Sequence, residues 1–396
     1  MNRLLMAFAL SAVALSLTMT RAAADAPNLQ QLAQRIITTS VAVQPGEVVV
    51  IEGGKHTIPL MEALAIEAQK AGGLVTLWLD SDKVIRSLDT EVPEQFLSQQ
   101  PRYQATWYRA IDVYINLPPA SDIAALDAGV SAKRLGEINA AGEFLTPLLD
   151  GMKYRALVIT YPTDQRGKSF KLNGATYVNM VWGAMGADYT KIAAAGESLK
   201  HKLAVGKTVR ITSPAGTDIT FKLAGRMPNL TDGIITGPQA KGHKFVDRSA
   251  GLPDGVVSVA PNEKSANGKV VVPRAACRFG VMKNVAFTLK NGMASGLTAA
   301  SGLDCFNGLV AASGGPTMEF SNISIGLNPA WPNHEENGAA YYPGPGAGLV
   351  FVSIGDNQLL GGSVKTVGNF GFGFPITHAT VYIDGVKVVD NGNLVG

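Results

Sequence analysis

Polar and apolar positions divide the chain into two stretches of different rhythm. Before about residue 205, short apolar runs alternate with longer segments whose apolar residues recur every three or four positions. Glu47-Val-Val-Val-Ile51 reads as a strand ending at Gly53-Gly54. The spacing from Ile58 to Lys70 predicts an amphipathic helix, with Leu60, Ala63, Leu64 and Ile66 on its apolar side. Ala71-Gly72-Gly73 supplies the glycine that ends such a helix. Leu74–Leu79, Val113–Leu117 and Ala156–Thr160 read as further strands. Strands separated by helical stretches imply βαβ units and a largely parallel sheet.

The rhythm changes near Lys207. Thr208 to Arg226 alternates polar and apolar residues around Pro214-Ala-Gly216, as a hairpin does. Beyond it, short strands are punctuated by Gly, Pro and Asn, with one helix expected between Gly296 and Ala312 and a strand at Val381-Tyr-Ile383. The expected fold class is therefore α/β: an N-terminal domain with parallel sheet and helices over residues 27–205, and a C-terminal β-rich domain over 206–396.

Residues 1–26 stand apart. Arg3 precedes an apolar run from Leu4 to about Thr18, and Ala22-Ala23-Ala24-Asp25-Ala26 offers small residues at cleavage spacing. This is the pattern of a signal peptide, so the mature chain is expected to be secreted or periplasmic and to have no membrane partner after cleavage. The composition of the whole chain, 46% hydrophobic with 44 Gly and 21 Pro, belongs to a folded chain with many turns. A net charge of +3 with dispersed charges gives no basic stripe, which argues against nucleic acid as a partner. Cys277 and Cys305 are either bridged, as an oxidising compartment permits, or two buried thiols.

Motif chemistry is sparse. Gly53-Gly54 lacks both G-x-G-x-x-G and G-K-[ST] and reads as a tight turn. None of the five histidines sits in H-E-x-x-H, and no G-x-S-x-G elbow occurs. The densest polar group is Asn333-His334-Glu335-Glu336, either a set of metal ligands or a solvated loop. His378, before the strand Val381–Ile383, is either a ligand or a structural histidine.

Three stretches of the second half, taken in order, resemble the aminopeptidase T family of metallopeptidases. Gly216-Thr-Asp-Ile-Thr-Phe-Lys-Leu-Ala-Gly-Arg226 is similar to G-T-D-L-x-x-x-L-x-G-R. Leu252-Pro-Asp-Gly-Val-Val-Ser-Val-Ala-Pro261, then Asn267-Gly268, is similar to L-P-x-G-E-V-x-x-A-P…N-G. Ile325-Gly-Leu-Asn-Pro329, Gly348 to Gly355, Asp356-Asn357 and Gly361-Gly362 resemble G-x-N-P…G-T-V-H-x-A-x-G-D-N…G-G. Gln44-Pro-Gly-Glu-Val-Val-Val50 resembles the family's opening.

The resemblance implies a dinuclear metal site held by Glu, Glu, His, His and Asp. This sequence departs from it: Val256, Asn322, Phe351 and Thr380 stand where four of those ligands are expected, and His378 alone is kept. Val and Phe donate nothing to a metal and Asn is a weak neutral ligand. One reading is a divergent aminopeptidase-like hydrolase with a remodelled site, in which His334 joins His378 around a zinc-like divalent metal. Glu335 or Glu336 is then the general base for a metal-activated water attacking the amide of a peptide or small-molecule substrate. The alternatives are a non-catalytic binding protein on the same scaffold, with Tyr341-Tyr342-Pro343-Gly-Pro345 lining a pocket, or a ring-cleaving iron dioxygenase of a related branch, whose His, His, Asp set Thr380 would interrupt. The resemblance also implies a homodimer.

Overall fold

The computed structural model describes residues 28–122, 125–126, 128–277, 280–312, 318–332, 346–366 and 370–395. The expected signal segment and the group His334, Glu335 and Glu336, with Tyr341 to Pro345, lie outside the described residues. No helix among the described residues is long and apolar enough to cross a membrane.

The first half forms the expected parallel sheet. Strands β1 (Val48–Gly54), β2 (Leu74–Asp80), β3 (Val113–Asn116) and β4 (Arg155–Ile159) are all parallel, in the order β2-β1-β3-β4. The helix between β1 and β2 spans Ile58–Lys70. It buries Leu60, Ala63 and Leu64, but Ile66, expected on the same side, is 46% exposed. Its position beside β2 explains this, because β2 is an edge strand whose Leu77 and Leu79 are also exposed and offer little cover.

Strands β5 (Thr208–Thr212) and β6 (Asp218–Lys222) form the hairpin read from the sequence. Strands β7 (Asn229–Thr231), β8 (Ser249–Leu252), β9 (Val256–Val259), β10 (Asn267–Cys277), β11 (Gly280–Lys290) and β12 (Met293–Thr298) follow. After the helix Leu303–Ala312, inside the window read for it, come β13 (Phe320–Gly326), β14 (Val350–Gly355), β15 (Gly371–Ile376), β16 (Thr380–Ile383), β17 (Val386–Asp390) and β18 (Asn393–Leu394). An eight-stranded sheet runs β12-β11-β10-β6-β5-β16-β17-β18, and a second five-stranded sheet runs β15-β14-β13-β9-β7. Their pairings are antiparallel. The fold class is α/β, with helices on a parallel sheet in the first half and a β-rich second half.

Strand β8 crosses the halves. It pairs in parallel with β4, Ala156 opposite Ser249 through Ile159 opposite Leu252, and completes the first sheet. One apolar core is correspondingly continuous through both halves, from Ile51 and Leu64 to Val209, Ile325 and Val352. A smaller core on the other face of the first sheet holds Val50, Ala105, Tyr154 and Ala156. Cys305 is disulfide-bonded.

Candidate functional site

The second five-stranded sheet carries the positions that the motifs singled out. Buried and half-buried residues alternate along β9, β13 and β14, so each strand turns one side to the core and one outward. Val257, Val259, Ile323, Ile325, Val350 and Val352 fill the core side. Val256, Ser258, Asn322, Ser324, Phe351 and Ser353 lie on the other side.

Register fixes their neighbours. Ser258 lies opposite Ser324, Ser324 opposite Phe351, and Phe351 opposite Pro375. Val256, two residues from Ser258 along β9 and opposite Gly326, lies to one side of this row, and Asn322, two residues from Ser324 along β13 and opposite Ser353, lies to the other. Three of the five expected ligand positions thus share one sheet face. The serine hydroxyls of Ser258 and Ser324 share a hydrogen bond of 2.7 Å. Asn322 Nδ2 donates to Ser324 Oγ at 3.2 Å, and Ser321 Oγ donates to Asn322 Oδ1 at 3.1 Å. Phe351 lies against Gly373, where a Cβ would stand 3.4 Å from its Cδ1.

The remaining two positions are on the way out of this sheet. His378 follows β15 in a turn with φ of 51°, a left-handed conformation in which a non-glycine residue is uncommon, and its side chain is exposed. Thr380 opens β16 in the eight-stranded sheet, and its Oγ1 accepts from Asn391 N at 3.1 Å.

The face is therefore a neutral one. Hydroxyls and an amide donate and accept, and Val256 and Phe351 add apolar surface. Among the described residues no group of three His, Cys, Asp or Glu side chains is placed to hold a metal ion. The described side chains of this face do not by themselves form a metal centre, because serine and asparagine are weak neutral ligands and Val256 and Phe351 are not ligands at all.

The motif segments and the residues between them also have a structural role. Glu263 Oε1 accepts from Arg226 Nη1 at 2.8 Å, Asn357 Nδ2 at 2.9 Å and Ser363 N at 2.8 Å. These donors outweigh burial and hold the Glu263 carboxyl down at about 2. Asn357 also binds Ser321 O and Val364 N, and a Cβ on Gly362 would fall 2.0 Å from its side chain, which explains the Gly361-Gly362 pair. Asn328 is buried and donates to Ala184 O and Asp254 O, both at 3.0 Å, tying the Asn328-Pro329 turn to the Leu252-Pro-Asp-Gly255 turn. Asp254, half-buried in that second turn, is raised to about 6, by burial first and by nearby Asp232. Its Oδ1 accepts from Thr231 Oγ1 at 2.8 Å.

The structure of wild-type AmpT from Thermus thermophilus superposes with a TM-score of 0.71 at 15% identity, over 93% of this chain and 99% of that one. The structure of 2,5-dihydroxypyridine dioxygenase from Pseudomonas putida KT2440 superposes with a TM-score of 0.59 at 15% identity, over 93% and 97%. Both likenesses show the fold, and the aminopeptidase T resemblance holds at that level. No curated protein sequence matches the chain. Residues 187–396, just over half of the chain and including every strand of the neutral face, match the model of one family. The chain belongs to that family, NicX: 2,5-dihydroxypyridine 5,6-dioxygenase.

Proposed function

We propose that this protein binds a small uncharged heteroaromatic molecule of the dihydroxypyridine class on the neutral face of β9, β13 and β14. The observation that carries this reading is the Ser258–Ser324–Asn322 hydrogen-bonded row beside Phe351 and Val256. A hydroxylated pyridine offers ring nitrogen and hydroxyl groups in one plane. A serine pair and a carboxamide can each donate and accept, so they match either tautomer. Phe351 supplies an aromatic face for the ring, and an uncharged ligand needs no ion to offset it.

A second reading draws on the residues after Pro332, which stand in the sequence between Asn328 and Gly346, two residues joined by a bridge. His334, Glu335 and Glu336 there, with His378, would supply nitrogen and oxygen donors for a zinc-like or iron ion, and the protein would then be a metal-dependent hydrolase or a ring-cleaving dioxygenase.

Calorimetric titration of chelator-treated protein with 2,5-dihydroxypyridine separates the two. The binding reading expects saturable binding without added metal, weakened about three- to tenfold in Ser324→Ala, the usual worth of one neutral hydrogen bond. Binding that appears only after zinc or iron(II) is restored, and that disappears in His378→Ala, would overturn it in favour of the metal-dependent reading.

A further inference from the structure

The first sheet carries a second row of chemistry, away from the neutral face. Trp78 on β2 lies opposite Glu52 on β1, Glu52 opposite Asn116 on β3, Asn116 opposite Val158 on β4, and Val158 opposite Gly251 on β8. Aligned residues of neighbouring strands project from the same face, so this row crosses all five strands. One step back along β4, Ala156 is buried under the smaller core. Two residues on, Val158 is 55% exposed, although β4 has a strand on each side. Parallel sheets are normally covered on both faces. This face is covered over its first half and open toward the C-terminal ends of its strands.

That end is where α/β sheets hold ligands, at the point where the chain reverses its direction of travel across the sheet. Here the reversal flanks β1, since β2 lies to one side of it and β3 to the other. Glu52, near the C-terminal end of β1, accepts from Tyr114 Oη at 2.5 Å, and Asn116 Nδ2 donates to the same Tyr114 oxygen at 3.1 Å. Asp80, at the end of β2, is the neighbouring carboxyl that interacts electrostatically with Glu52. The second oxygen of Asp80, Oδ2, is buried and has no hydrogen-bond partner. A buried acceptor without a donor is costly, and native structures rarely leave one without a reason. Burial lifts both carboxyls above their ordinary range. Beside them the Trp78 ring lies tilted against Trp107, with centroids 4.9 Å apart, and Trp107 is 47% exposed.

We propose that this crevice is a binding site for a small organic cation, with its ammonium group on Glu52 and Asp80 and its apolar body between Trp78 and Val158. An ammonium brings the donors that Asp80 Oδ2 lacks, and indole faces attract cations. A metal ion is the poorer occupant, since no third carboxylate, His or Cys joins the pair among the described residues. Gly251, at the end of the row, leaves its neighbour Val158 uncovered. The site is independent of the dihydroxypyridine reading, because no residue is common to both.

Benzylammonium tests the idea, with benzyl alcohol as its uncharged counterpart. Titration of the whole protein should give saturable quenching of tryptophan fluorescence with benzylammonium and none with the alcohol. Glu52→Gln and Asp80→Asn should each weaken benzylammonium about tenfold or more, the size expected for hydrogen bonds to a charged group. Binding to the unaltered protein should weaken as pH falls, because protonating the pair removes the charge that the ammonium meets. That measurement holds even if a variant misfolds. Equal binding of the alcohol, unchanged affinity in both variants, an affinity that does not fall at low pH, or calcium displacing the probe competitively would each overturn the proposal. Retained dihydroxypyridine binding in folded Glu52→Gln would show that the two sites fail or stand separately.

Discussion

Asp254 shows how a single side chain can report on the junction near the neutral face. It follows the Leu252-Pro253 bond and directly precedes Gly255 and β9. Burial raises its carboxyl to about 6, from an ordinary 3.8, despite hydrogen bonds from Gly255 N and Thr231 Oγ1. A raised carboxyl favours the protonated folded state, so its contribution to stability is complete below 3.8 and is lost as pH rises through about 6. Asp254→Asn mimics the protonated form. We expect the variant's thermal midpoint to lose the decline that the parent shows between those pH values, and identical pH profiles for the two proteins would refute this. Glu263 gives a signal of the opposite sign, because its carboxyl is held at about 2 and its contribution to stability is lost only as pH falls from 4.5 toward that value. Neither residue was visible as special in the sequence. Asp254 stood only at the variable position of L-P-x-G, and Glu263 fell between the motifs, in none of them. Their chemistry comes from partners such as Arg226, Asn357 and Thr231, which lie far along the chain. Ser258 and Ser324 were missed for a related reason: in an alternating strand a serine reads as the outward side, and only register shows that two of them meet. The chain's own Val256, Asn322 and Phe351 were legible as a set through the order of the motifs around them.

At the level of elements, local signals were good guides and pairing was not. The helix Ile58–Lys70 and the hairpin of β5 and β6 were readable because periodicity and turn residues are local. Strand β8, four residues long and fed by a 3₁₀ turn, offered no such pattern, and its place beside β4 depends on a contact between sequence-distant segments. The motifs that resembled a metallopeptidase are, in this fold, the fasteners between elements. Asn328 makes the point testable. It links the end of β13 to the helix Gly174–Met185 through Ala184 O and to the turn before β9 through Asp254 O, and its own Oδ1 accepts from Ala330 N at 3.0 Å. Asn328→Ala removes all three bonds from a fully buried position and should cost roughly 2 to 4 kcal/mol, the range for leaving several buried groups unpaired. Asn322→Ala, on the open neutral face, should cost about 1 kcal/mol or less while weakening dihydroxypyridine. Denaturant melts of the two variants decide the matter: comparable losses of stability would mean that the turn is not the fastener that its hydrogen bonds suggest.

The molecule as a whole is joined more tightly than two sequence rhythms suggest. The change of pattern near Lys207 is real, since helices on a parallel sheet give way there to antiparallel strands. Yet β8, from beyond that point, is the fifth strand of the first sheet, and Thr160 N donates to Leu252 O at 2.7 Å across the join. Arg248, immediately before β8, is 3% exposed, and its guanidinium donates to Leu149 O, Met152 O and Tyr154 O from the first half and to Gly242 O and Lys244 O from the second. The main apolar core continues through both halves without a polar seam. Cutting the chain between Val205 and Gly206 would leave β8 without its partner strand and a buried cation short of three carbonyl acceptors, a loss of several kcal/mol against a total stability of about 5 to 15. We therefore expect one cooperative heat-absorption peak for the whole chain, and a fragment of residues 206–396 that lacks a cooperative melt and a dispersed amide proton spectrum. Two separate peaks, or a fragment that folds by itself, would mean that the halves are independent domains and that β8 and Arg248 join two bodies already stable on their own.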